Sequence, residues 1–230
     1  MTFTLPSHIR NLAARKVDTV RRVTARTLVV RVWLPDRPGA LGQVASRIGA
    51  VHGDVTAIDI LDRGGGRVID ELVVALPEAV SVELLAKEID AVDGVSVEHI
   101  RVVTGERPDS ATSVLQLAAD VAEAPPGDRL GVLIAGLLLS ADADWAVAVS
   151  DGAVVHPHGN PPDVAWLLAF LAGCGHLDPA NPSANEPGDV MWARLPSVDT
   201  TIAAGRAKRA VHERERSRLA LLARVVDHLL

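Results

Sequence analysis

The sequence predicts an α+β protein of two domains, and three observations point to it. Strand and helix periodicities alternate through residues 27–104 in the order β-α-β-β-α-β. A short polar link follows at 105–110. Residues 111–230 then mix helical stretches with short apolar strands and a tight-turn signal, the pattern of a second α+β domain around a central antiparallel sheet. The length of 230 residues suits two domains of about 100 residues each.

Residues 1–26 carry Arg10, Arg15, Lys16, Arg21, Arg22 and Arg26 against one acid, Asp18, while Ile9, Leu12, Val17, Val20 and Val23 recur at helical spacing. This predicts a basic amphipathic N-terminal helix. Its apolar stripe is thin and lacks aromatic anchors, so packing on its own protein or a dimer mate is expected over a membrane or nucleic-acid contact.

Residues 28–34 form a strand pattern, with Val30, Val32 and Leu34 on one face and Val29, Arg31 and Trp33 on the other. Leu41, Val44, Ala45 and Ile48 then share one helix face, and Gly53 marks the helix exit. Residues 55–61 and 67–75 read as a hairpin turning at Gly64, Gly65 and Gly66. Ser81 can cap a second helix that aligns Val82, Leu85, Ile89 and Val92. Gly94 ends it, and residues 95–103 form the last strand. The six elements make a split βαβ arrangement.

In the second half, residues 111–123 and 128–140 are helix-like. Residues 145–150 are an apolar strand, Asp151 and Gly152 a hairpin turn, and residues 153–155 the return. Pro161 and Pro162 can open a helix over 163–172. Residues 173–188 are rich in Gly, Pro and Asn and read as a loop. Strands are expected at 190–195 and 200–204. The closing helix aligns Leu219, Leu222, Val226 and Leu229, and its arginines alternate with acids, which predicts a solvated face of i, i+4 pairs.

The most informative segment is Asp36, Arg37, Pro38, Gly39, Ala40 and Leu41, between a strand and a helix. Pro38 pre-sets the turn, and Gly39 lets a ligand approach the backbone. The first helical N–H groups lack internal partners and, with the helix dipole, suit a carboxylate.

This segment, inside a β-α-β-β-α-β run, resembles the ACT domain, a ferredoxin-like regulatory module of amino-acid metabolism. The resemblance covers residues 27–104 and includes the helix exit at Gly53, Asp54 and Val55. It implies side-by-side pairing of two domains, with an amino-acid effector between the turn of one copy and the helix exit of the other. The ligand-binding residues it implies are Asp36, Pro38, Gly39, Ala40 and Leu41, then Asp54 and Val55. Asp54 departs from the amide common there, and it can meet a ligand ammonium or cap Thr56. The second half is similar to the end of a GAF domain. Thr201, Ile202, Ala203, Ala204, Gly205 and Arg206 lead to a helix opening near Glu213 and Glu215. That likeness implies a sensing or dimerising module.

Composition excludes several classes. A formal charge of -6 does not favour nucleic acid or an anionic membrane. The single cysteine, Cys174, rules out an internal disulfide framework and suits a cytoplasmic protein. The N-terminus lacks a secretory h-region, and the longest apolar stretch, 130–139, is about half a membrane span. His156, His158, Cys174 and His176 are metal-ligating types, but one residue separates the members of each pair where zinc sites usually have two to four. Cys174 with a histidine has no nucleophile signature. Gly64, Gly65 and Gly66 precede a strand and lack the phosphate-loop lysine. Asp59 and Asp70 are expected on a solvated sheet edge. The chain is thus expected to be a non-catalytic, homodimeric regulator without a cofactor. It would sense an amino acid and act on a partner enzyme or regulator. The alternative is an adaptor that dimerises and holds a partner without a ligand.

Overall fold

In the computed structural model, residues 24–103, 109–173 and 189–230 are described. The basic segment up to residue 23, most of the link, and Cys174 and His176 lie outside them.

The first half is a ferredoxin-like βαββαβ unit. Its elements are β1 (Ala25–Pro35), α1 (Ala40–Ala50), β2 (Asp54–Gly64), β3 (Arg67–Pro77), α2 (Val82–Asp90) and β4 (Ser96–Val103). The sheet order is β2-β3-β1-β4, antiparallel throughout. β1 starts earlier than expected, so Ala25 and Arg26 belong to the sheet and not to the N-terminal helix.

The alternation in β1 places Leu28, Val30, Val32 and Leu34 in a core with Val44 and Ile48 of α1 and Leu85 and Ile89 of α2. Each such side chain contributes about 1.5–3 kcal/mol on burial. The opposite face, with Arg31 and Trp33, meets the second half of the chain.

That half contains α3 (Ser110–Glu123), α4 (Arg129–Ser140), β5 (Trp145–Ser150), β6 (Ala153–Gly159), α5 (Val164–Gly173), β7 (Val190–Leu195), β8 (Thr200–Gly205) and α6 (Glu213–Val226). Asp109 and Ser110, expected in the link, cap and open α3. The central sheet is antiparallel, in the order β6-β5-β8-β7. Its two faces bury different layers. Ala146, Ala148, Met191, Ala193, Ile202 and Ala204 pack under α3, α4 and α6. Trp145, Val147, Trp192 and Ala203 pack under Leu167 and Leu171 of α5. A Cβ added at Gly136 of α4 would fall 2.2 Å from Leu117 Cδ1 of α3, so glycine permits this close helix approach. Among the described residues no helix is long and apolar enough to cross a membrane.

Candidate functional site

The turn after β1 is fixed by its backbone. Asp36 N–H donates to the Gly66 carbonyl at 2.9 Å, which ties the turn to the β2–β3 hairpin, and Arg37 N–H donates to Pro35 O at 2.8 Å. Gly39 takes φ 86, the left-handed region where a side chain is strained. It is the N-cap of α1, with no side-chain cap and no acid in the first turn. The helices α2 and α3 fill this position, whereas α4 shares the uncapped start, Asp128 making no side-chain cap. Ser81 Oγ accepts from Leu84 N–H at 3.1 Å at the start of α2, and Asp109 Oδ1 accepts from Ala111 and Thr112 N–H groups at the start of α3. The Ala40 N–H donates to the Arg37 carbonyl at 3.3 Å, so the donors left to the start of α1 are the N–H groups that follow it, at the positive end of the helix dipole.

Asp36, Pro38 and Gly39 are exposed there, Ala40 is buried against the core and Leu41 is half-buried. Asp54 and Val55 lie at the far end of α1. Asp54 pairs with Ala75 at one end of the sheet, whereas Pro35 pairs with Arg67 at the other. The 11 residues of α1 separate the two groups by about 16 Å. One chain thus groups Asp36, Pro38, Gly39, Ala40 and Leu41 but does not bring Asp54 and Val55 to them. Asp54 is exposed. The hydroxyl of Thr56 donates to the Val73 carbonyl at 3.2 Å.

Two features went unread in the sequence. The first is Asp70. Its expected place on a solvated edge is wrong: only 2% of it is exposed, and it lies on β3 between Val68 and Leu72. It pairs with Val32, so it points to the helix-covered face. The signal was available, because an acid at i+2 from Val68 and i−2 from Leu72 shares their face. Burial pushes its carboxyl above the usual range. Arg63 opposes that shift, while Asp36 and Asp59 add to it. Arg63 Nε also lies 3.6 Å from Asp36 Oδ2.

The second feature is a charged seam between the halves. Arg31 Nε donates to Glu71 Oε2 at 2.8 Å and Arg31 Nη2 to Glu215 Oε1 at 2.8 Å. Glu215 also accepts from buried Arg206. Burial alone would raise the Glu215 pKa, but Arg206 and Arg31 hold it down to about 2. Burial likewise opposes the charged form of Arg31, yet Glu215 and Glu71 raise its pKa. A bulge in β4 leaves Glu98 unpaired with β1. Glu98 then accepts from Trp33 Nε1 at 3.1 Å and lies 3.1 Å from His212 Nε2. Arg214 and Arg218 of α6 reach Asp59. The solvated face expected for α6 is corrected: Arg216 is buried, and Arg214 and Arg218 cross to the first half. A cleft of about 450 Å³ lies along the seam, walled by Thr56, Val73, Asp109, Ser110, Arg214 and Arg218.

His156 and His158 sit on β6. Among the described residues no group of three or more His, Cys, Asp or Glu is placed to hold a metal ion.

No protein-family model matches the chain. No curated protein matches it either. Among solved structures, an unknown protein from Galdieria sulphuraria aligns at 18% identity and TM-score 0.32, over 42% of this chain and 65% of that one. A formyltetrahydrofolate deformylase from Pseudomonas putida KT2440 aligns at 18% identity and TM-score 0.27, over 46% and 39%. A protein provisionally described as a glycine cleavage system transcriptional repressor aligns at 12% identity and TM-score 0.29, over 66% and 92%. The chain spans less than two thirds of the length of the first two.

Proposed function

We propose that this chain is a non-catalytic regulator whose first half binds an amino-acid effector at the turn before α1. One observation carries the proposal: α1 begins at a left-handed glycine with neither a side-chain cap nor a first-turn acid, inside a βαββαβ frame. A ligand carboxylate satisfies such a helix start. The distance from the turn to Asp54 and Val55 supports a homodimer, in which Asp54 of a second copy meets the ligand ammonium. Binding would stabilise one arrangement of the pair in proportion to its difference in affinity for the two arrangements. The charged seam offers a route to the GAF-like half, and from there to a partner enzyme or regulator.

An adaptor role is the alternative. Trp166 and Phe170 stack on α5 at 5.4 Å, and 46% of Trp166 is exposed, as a partner contact would use.

A thermal-unfolding scan against the twenty amino acids at millimolar concentration separates the two. A ligand at about 100 times its dissociation constant adds roughly 2.7 kcal/mol. A rise with one or a few related amino acids, lost in Gly39→Glu, supports the sensor. A flat panel refutes it and favours the adaptor.

A further inference from the structure

We propose that the cleft between the halves is a second ligand site, which takes a small carboxylic acid with an apolar body and holds its carboxylate on Arg214 and Arg218. The site is separate from the turn before α1 and does not depend on the effector read there.

The cavity is about 450 Å³, within the range of small-molecule pockets, and it opens between strands β2 and β3, the start of α3 and the first turns of α6. The register builds one wall. Ala57 pairs with Val73 and Asp59 with Glu71, so these four share the sheet face opposite Leu72 and Val74 of the core. Helix α6 lays Arg214 and Arg218, one turn apart, along the same cleft. The acids of the lining already have partners. Glu71 holds Arg31 at 2.8 Å. Asp109 accepts from the N–H groups of Ala111 and Thr112 and from the Thr112 hydroxyl, at the positive end of α3. Asp59 holds both arginines, with Arg214 Nε 3.4 Å from Oδ1 and Arg218 Nη2 on Oδ2. Two guanidiniums thus share one carboxylate. Arg214 Nη1 also donates to the Ile60 carbonyl at 3.3 Å, but Arg214 Nη2 and Arg218 Nε and Nη1 meet no acceptor among the described residues.

The spare donors and the one positive charge in excess of Asp59 define the ligand's head. Guanidinium edges match a carboxylate, and a single charge suits it better than a phosphate dianion. Ala57, Val73 and Ile58, which is 49% exposed, give the body an apolar wall. Because the walls come from both halves, an occupant favours the arrangement in which the halves are in contact.

The test is titration calorimetry on the full chain with isobutyrate, isobutyramide (the same body without charge) and inorganic phosphate at millimolar concentration. Isobutyrate should bind, and more tightly than either of the others. Arg214→Gln should weaken it about tenfold or more, the size of a lost charge-assisted contact. The Arg214 side chain is 55% exposed and Arg218 keeps Asp59, so this variant is expected to fold. Ala57→Trp, which fills the cleft from its wall, should weaken isobutyrate to the same degree. Asp59→Asn should bind it at least as tightly as wild type, because the competing carboxylate is gone. No isobutyrate binding, equal or tighter binding of isobutyramide or phosphate, a smaller loss in Arg214→Gln or Ala57→Trp, or a loss in Asp59→Asn overturns the proposal. Binding lost in Gly39→Glu but kept in Arg214→Gln puts the carboxylate at the α1 turn, so this inference alone fails. Isobutyrate bound through Arg214 beside a flat amino-acid panel leaves this inference standing and refutes the effector reading.

Discussion

Arg31 and Glu215 stand 184 positions apart in the chain and meet at 2.8 Å, joining the first sheet to the last helix. Glu71 holds the other side of the same guanidinium, and Arg206 holds the other side of the same carboxylate. Four charges in alternating sign are thus sealed between the halves. A seam of this kind is sensitive to the loss of any one member, because the partners left behind stay buried with one opposite charge fewer.

Replacing Arg31 with Met is therefore expected to destabilise the chain by about 3–5 kcal/mol. It leaves Glu71 and Glu215 facing each other with one cation fewer. The same change should uncouple the halves. Calorimetry is expected to give one unfolding transition for wild type and two for Arg31→Met, and a single unchanged transition would refute the coupling.

Acid should weaken the seam over a defined range. The Glu215 pKa drops from 4.5 to about 2 on folding, because Arg206 and Arg31 outweigh the effect of burial. A depressed carboxylate stabilises the fold fully above the unfolded value, near pH 4.5, and that contribution disappears as pH falls toward 2. The difference is on the order of 3 kcal/mol. Midpoints measured from pH 6 to pH 2 should fall more steeply for wild type than for Glu215→Gln. Parallel curves would sink this account.

Gly39 can be tested without crowding anything. A Cβ there meets no atom within 4 Å, so the cost of Gly39→Ala is the positive φ alone, about 1 kcal/mol. Gly64→Ala is the control, since Gly64 is equally open and has no positive φ. Denaturant midpoints should fall for Gly39→Ala and barely move for Gly64→Ala.

Gly136→Val should cost about 1–3 kcal/mol by overpacking α4 against Leu117. Leu117→Ala alone should also cost, by opening a cavity. The double variant should be less destabilised than the two losses added together, by at least 0.5 kcal/mol in a double-mutant cycle. Strict additivity would mean that the helices do not meet at this point.

The sequence by itself determined the local elements. Period-two alternation in β1, the capping serine before α2 and the glycine turn between β2 and β3 are short-range signals, and each sits where its own residues require. The turn at Asp36 through Leu41 was legible for the same reason: its proline and glycine restrict the backbone without help from distant residues. Tertiary structure alone decided which charges are buried. The closing helix reads as a salt-laced solvated face because i, i+4 spacing describes only contacts along one helix, and nothing local says that Arg218 will reach Asp59 or that Glu215 will reach Arg31. Asp70 lies between these cases. Its face follows from Val68 and Leu72, but that its Oδ1 meets no hydrogen-bond partner among the described residues depends on what α1 and β2 bring near it, and only the assembled fold fixes that.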